Sequence, residues 1–241
     1  NSTGTLKINV VGCEFHDTSY GMWLEADVIN TVNVQETHFN SVYYGIRIDD
    51  YPGSQRGDLS IQLVDVLMDN VYRAIDPMIN GNIYLSMSSV EIYNAYELGW
   101  FVAFNDDNNA VIDVVINDCV FNNAVYGFYL EADTMGAFEV GDTMFSAIEH
   151  YVFDVTLDYG DVVIPIENVE ALGVGSFLDI TVTFGNVELV ITDSILAGNN
   201  DTGLFLFDIR VNSDSLDNGF VTLSVENTTF RNAGGGIRTW S

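Results

Sequence analysis

The sequence predicts an all-β solenoid of about nine coils, and three observations carry that prediction. One pattern of apolar, turn and glycine positions recurs along the whole chain; its apolar positions alternate with polar ones; and no stretch shows the three-to-four-residue spacing of an amphipathic helix. Aligned on Cys119, the other copies place Cys13, Thr37, Val66, Val90, Thr143, Val169, Ser194 and Thr228 in one column, at spacings of 24, 29, 24, 29, 24, 26, 25 and 34 residues. Units of that length suit one coil of short strands, whereas a propeller blade needs four strands in roughly 40 residues.

The first strand of each coil lies before this anchor column. Five residues before it stand Ile8, Val32, Ile61, Leu85, Val114, Phe138, Ile164, Leu189 and Leu223, and three before it Val10, Val34, Leu63, Met87, Ile116, Val140, Ile166, Ile191 and Val225. All are apolar, and the residues between them, such as Asn9, Asn33, Gln62 and Glu139, are mostly polar. That alternation is a strand with one buried face. Two residues after the anchor a second inward column reads Phe15, Phe39, Met68, Ile92, Phe121, Phe145, Ala171, Leu196 and Phe230.

The corner that follows carries Asn70, Asn94, Asn123 and Asn232. Asparagine tolerates the left-handed backbone of a tight corner, and asparagines stacked coil on coil can hydrogen-bond along the stack. Gly21, Gly45, Gly127 and Gly236, with Gly99 and Gly203 one position later, mark the entry to a third strand. In Met22-Trp23-Leu24, Ile46-Arg47-Ile48, Phe128-Tyr129-Leu130, Leu204-Phe205-Leu206 and Ile237-Arg238-Thr239 the outer residues of each triplet are expected to point inward and the middle one outward. Coils stacked at the ~4.8 Å strand spacing would make a rod about 43 Å long.

An apolar-x-apolar strand, then Phe-Asn-Asn, then Gly-apolar-x-apolar resembles the right-handed parallel β-helix repeat proteins, which include pectate lyases, polygalacturonases, phage tailspikes and many microbial surface proteins. The resemblance covers nearly all of residues 4–241 and implies a fold; it does not imply one chemistry.

Composition bounds the function. No linker or charge block divides the 241 residues, so a single domain, 1–241, is expected, part of a larger chain or assembly. Asp and Glu number 35 against seven Lys and Arg, a formal charge of −28, which excludes nucleic acid as a partner. No run is apolar enough to insert into a membrane, and no basic, apolar leader opens the sequence. Such acidity suits an extracellular or cell-surface setting rich in salt or cations. Of the Asn-x-Ser/Thr sequons at Asn1, Asn200 and Asn227, Asn200 in the longest insertion is the best candidate for glycosylation. Cys13 and Cys119 share an inward column four coils apart, about 19 Å, too far for a disulfide; both are expected to be buried free thiols.

The lyases and hydrolases of this resemblance group clustered aspartates with an Arg, Lys or His, and that combination is mostly missing. Arg47, Asp49 and Asp50 are the one place where a basic residue adjoins an acidic pair, and the alternative for Asp49 and Asp50 is a solvated turn. A column of acids precedes the anchor: Glu36, Asp65, Asp118, Asp142 and Asp193, with Asn168 and Asn227 in register. Either water and salt screen these charges or divalent cations bridge some of them, so calcium, with Asp118, Asp142 and Asp193 as ligands, is the one cofactor to weigh against none. The least bland surface feature is aromatic. Trp23, Arg47, Tyr129, Phe205 and Arg238 are expected to form an outward column, with Tyr20, Tyr44 and Tyr126 before the glycines and Trp240 at the end. Rings interleaved with arginine suit a glycan or protein contact, unless a segment such as 51–57 covers them.

The expectation is therefore a structural or adhesive module of an extracellular surface, with a lyase or glycoside hydrolase on the same face as the alternative. No cap is visible before Leu6-Lys7-Ile8 or after Ile237-Arg238-Thr239-Trp240, so the end coils are expected to be covered by adjoining coils or by further copies in a head-to-tail fibre.

Overall fold

The computed structural model describes residues 6–25, 31–49, 57–104, 109–199, 205–211 and 219–240. These residues form a parallel β-solenoid of twenty-two strands, with no helix among them. The first-sheet column pairs level to level as the repeat requires. Ile8, Val32, Ile61, Leu85, Val114 and Phe138 stand in register, Val140 continues to Ile166, and Ile164, Leu189 and Leu223 complete the stack. Of these nine levels, the seven between the first and the last have a paired strand on both sides. The longest strand, Ile83–Phe104, bends through two corners and serves all three sheets.

Both corners turn through left-handed backbone. At the first, Gly12, Glu36, Asp65, Ser89, Asp118, Asp142, Asn168, Asp193 and Asn227 have φ between 46° and 62°. At the second, Asp17, Ser41, Asn70, Asn94, Asn123, Ala147, Gly173 and Asn232 lie between 51° and 67°. This conformation costs most residues roughly 1–2 kcal/mol and is cheapest for Gly, Asn and Asp, so backbone geometry accounts for the acidic column just before the anchor.

The anchor residue completes that corner. Thr143 Oγ1 donates to the Gly141 carbonyl at 2.6 Å and accepts the Cys119 N–H at 3.4 Å. Ser194 Oγ does the same with the Thr192 carbonyl at 2.7 Å and the Val169 N–H at 3.1 Å. A hydroxyl at this inward position therefore satisfies a buried amide that the turn would leave unpaired.

Inside, Phe15 stacks on Phe39 at 4.9 Å and Phe121 on Phe145 at 5.0 Å. The corner glycines answer to close packing between coils. Gly45 and Gly127 do not have positive φ; a Cβ there would lie 2.5 Å from the Ala74 carbonyl oxygen and 2.0 Å from that of Val152. They are needed because the next coil's backbone passes so close. Gly99 is a true exception: it pairs with Ile75 and Phe128 inside the third sheet, where a Cβ would strike Phe128.

Two further expectations are corrected. Cys119 is buried, but Cys13 is only half-buried because its coil is the first of the stack. The last third-sheet triplets are Phe207-Asp208-Ile209 and Ile237-Arg238-Thr239, so Phe205 stands three residues earlier, beside Gly235. Leu223 and Val225, inward in the last coil, remain 41% and 40% exposed, and Ile8 and Val10 at the other end are half-buried.

Candidate functional site

The outward side of the third sheet gathers most of the chain's unusual chemistry. Its middle column reads Trp23, Arg47, Asp76, Trp100, Tyr129, Asp154, Asp179, Asp208 and Arg238. On one side runs a column with Tyr20, Tyr44, Arg73, Glu97 and Tyr126; on the other, Asp49, Met78, Val102, Glu131, Thr156, Thr181, Arg210 and Trp240. All three tryptophans of the chain, and four of its seven basic residues, are on this one face.

Its arginines are held by intramolecular partners. Arg47 Nε donates to Asp49 Oδ2 at 2.7 Å and lies 3.8 Å from Asp76, while Trp23 Nε1 donates to the same Asp49 oxygen at 3.1 Å. Arg73 donates to Glu97 at 2.6 Å and to Asp76 at 3.1 Å, with its guanidinium 5.0 Å from the Trp100 ring. Asp76 and Glu97 are 5% and 3% exposed, and burial pushes both carboxyl pKa values up against the pull of Arg73. At the other end Arg210 and Arg238 both donate to Asp208. Burial alone would raise that carboxyl, but the two arginines hold it below its ordinary value. Arg238 also covers the Phe205 ring at 4.3 Å and lies 5.4 Å from Trp240.

Between these clusters Asp154 pairs in register with Asp179. Burial, and then the neighbouring Asp179, raise the Asp154 carboxyl to about 6. Trp100 stacks on Tyr129 at 4.2 Å, and the Tyr129 hydroxyl donates to Glu131 at 2.8 Å. The structure places Tyr20, Trp23, Tyr44, Arg47, Tyr126, Tyr129, Arg238 and Trp240 along this one face, from its first coil to its last, with Phe205 at its edge. Asp76, Asp154 and Asp179 were missed because no glycine precedes their triplets, and Trp100 and Asp208 because Gly99 and Gly203 stand out of register with the glycines of the other coils. The segment Tyr51-Pro52-Gly53-Ser54-Gln55-Arg56, and Asp50 with it, lies outside the described residues, as does Asn200.

The acidic corner column is interrupted rather than continuous. Ser89 donates to Asp118 at 3.0 Å, Asn168 to Asp142 at 2.6 Å and Asn227 to Asp193 at 3.1 Å. Each carboxylate gains a neutral donor from an adjacent coil, which relieves the repulsion of stacked charges. Among the described residues no three His, Cys, Asp or Glu side chains are grouped to hold a metal ion, Asp118, Asp142 and Asp193 included.

A second feature lies around the corner, between the second and third sheets. A groove of about 850 Å³ runs along the stack from Asp17 to Glu149. One wall is Ser41, Asn70, Asn94 and Asn123; the floor is Val42, Val71, Ala95 and Ala124; the other wall is Tyr43, Tyr72 and Tyr96. The tyrosines stack face to face at 4.4 and 4.7 Å with planes 6° and 4° apart. This ladder is legible in the same alignment, six residues after the anchor in three successive coils, but only the geometry makes it a wall.

Comparison with protein-family models, with curated proteins and with solved structures gives no match.

Proposed function

We propose that this chain is a structural or adhesive β-helix module of an extracellular surface, one of the right-handed parallel β-helix repeat proteins, whose third-sheet face contacts glycan or protein. One observation carries the reading: in a chain of charge −28, all the tryptophans and more than half of the basic residues are gathered on one long, rigid side. Trp23 and Trp240 are each 54% exposed at opposite ends of that face. Amphipathic rings beside ion-paired arginines are the residue types enriched at contact hot spots. The exposed Leu223 and Val225 support a further coil stacking on the last one, from the same parent chain or from a second copy.

The tryptophans provide the test, because an occupant of the face alters their emission. Soluble neutral and acidic polysaccharides are titrated against the protein, and emission is followed with protein concentration alongside sedimentation. The reading requires a saturable change with one polysaccharide or with self-association, lost in the Trp23→Ala, Trp240→Ala double variant. Emission unmoved by every polysaccharide and by concentration overturns it.

A glycoside hydrolase on the same face is the second reading, favoured by the Asp154 and Asp179 pair. Backbones of adjacent coils are about 5 Å apart, so carboxyls in register can reach the separation used by retaining glycosidases, and Asp154, raised to about 6, is the one suited to hold a proton. Release of reducing ends that stops in Asp154→Asn and Asp179→Asn would establish it.

A further inference from the structure

We infer that the corner groove between the tyrosine and asparagine ladders binds a neutral, extended polysaccharide lying along the axis of the solenoid. The groove's size falls within the range of built ligand sites, and its length, from Asp17 in the first coil to Glu149 in the sixth, is about 24 Å at the coil spacing.

The asparagine wall has unused hydrogen-bonding capacity. Each amide has two N–H donors and a carbonyl that accepts twice. Along the stack Asn70 gives one N–H to Ser41 at 3.2 Å, Asn94 one to Asp69 at 2.8 Å and Asn123 one to the Asn94 carbonyl at 2.7 Å. These bonds fix the amide planes, and each amide keeps a second N–H and acceptor sites. The row therefore offers donors and acceptors together, once per coil, at a geometry set before the ligand arrives, which lowers the entropic cost of binding.

The opposite wall works through its edges. Tyr43, Tyr72 and Tyr96 cover one another's faces, so what the ladder presents is a row of ring edges and phenol groups; Tyr43 and Tyr96 remain 50% and 40% exposed. A ligand that needs flat stacking belongs on Trp23 or Trp240. One that needs many small polar contacts along an apolar floor belongs here.

Charge and repeat select the ligand class. The charged lining residues, Asp17 and Glu149, are acidic and stand at the two ends, and Arg73 behind the tyrosine wall is held by Asp76 and Glu97, so an anionic chain would meet net repulsion in a protein of charge −28. An extended peptide advances about 3.3 Å per residue and falls out of step with a ~4.8 Å coil within a few residues. A pyranose unit advances by nearly one coil and carries neutral hydroxyls, each donor and acceptor, around its ring. Successive sugars can thus repeat the same contacts on successive asparagines. The inference rests on the reading of the chain as a glycan-contact module but places the ligand on a separate surface.

The test is calorimetric titration with neutral linear hexasaccharides (β-1,4-glucan, β-1,4-mannan, β-1,4-xylan and α-1,4-glucan), an oligogalacturonate of equal length and an uncharged extended peptide. At least one neutral sugar should bind and the oligogalacturonate should not. Asn94→Gly with Asn123→Gly removes two amides while keeping residues suited to left-handed φ, and should weaken binding about tenfold, the effect of losing two modest hydrogen bonds, with an unchanged circular dichroism spectrum. Trp23→Ala with Trp240→Ala should leave that affinity intact; the reverse pattern moves the sugar to the third-sheet face and overturns the groove while sparing the broader reading. No binding by any neutral sugar, equal binding of the oligogalacturonate, or binding of the peptide alone also overturns it.

Discussion

Phe121→Ala probes the stack where it is most completely enclosed. Phe121 has no exposed surface, stacks on Phe145 at 5.0 Å and meets Phe128 edge-on at 5.3 Å, with Ile92 paired on the other side. Burying a phenylalanine removes about 150–200 Å² from water, worth roughly 4–5 kcal/mol at ~25 cal/mol per Å² as an upper figure. Coils above and below are pinned by their backbone ladders and cannot close the void, so the loss should be about 3–5 kcal/mol. Phe230→Ala makes the same chemical change in the last coil, where Phe230 is only partly buried, and should cost less than half as much. Urea unfolding followed by far-ultraviolet circular dichroism measures both, with an unchanged m-value required for the comparison. A loss below about 1 kcal/mol for Phe121→Ala, or equal losses at the two sites, would refute the enclosed-stack reasoning.

Three further outcomes are expected. The Asp154 carboxyl is raised from 3.8 to about 6 on folding, so between those pH values the folded chain holds a proton that the unfolded chain has lost, and stability falls as pH rises through that window. Asp154→Asn should remove that slope and stabilise the protein at pH 7 by about 1–2 kcal/mol, discounted for partial solvent screening; a pH profile of unfolding free energy unchanged by the substitution contradicts this. Because the chain's charge repels itself, its melting temperature should climb as NaCl shortens the Debye length from ~10 to ~3 Å, and a flat or falling trend to 1 M would count against a repulsive surface. Burial raises the Cys119 thiol to about 11, so iodoacetamide at pH 8 should modify the half-buried Cys13 first, mass spectrometry finding one adduct in the native protein and two in urea.

The parts of this molecule that repeat were legible in its sequence, and the parts that depend on which repeat sits beside which were not. An inward column is a local requirement: each coil must bury the same two strand positions and turn through left-handed corners, so Ile8 to Leu223 and Asn70, Asn94 and Asn123 declare themselves one coil at a time. The outward third-sheet column carries no such local demand: Trp23, Arg47, Asp76 and Asp154 follow no one residue type, and the burial of Asp76 and Asp154 comes from side chains of adjacent coils. Its register came from Gly21, Gly45 and Gly127; where that glycine is lacking it was missed, and in the coil of Phe205 the glycine used, Gly203, stands three residues before the position those glycines hold, which is why Phe205 was placed three residues late.

Burial, charge pairing and shape were decided only by stacking. The sequence alone places Thr143 and Ser194 in an inward column beside Cys119 and Val169 without a reason for the hydroxyls; the neighbouring coil makes them the partners of buried amides. Five acids before the anchor left screening by water and salt or bridging by cations as the choices; adjacent coils instead bring Ser89, Asn168 and Asn227 against Asp118, Asp142 and Asp193 as neutral donors. The groove is the clearest case: Tyr43, Tyr72 and Tyr96 are separated by 29 and 24 residues, and nothing in any one coil distinguishes them from scattered surface tyrosines. Parallel stacking brings their rings to within 4.7 Å of one another and sets them across from the asparagine ladder. A wall of that kind is a property of the stack, and so could not be read from the coil.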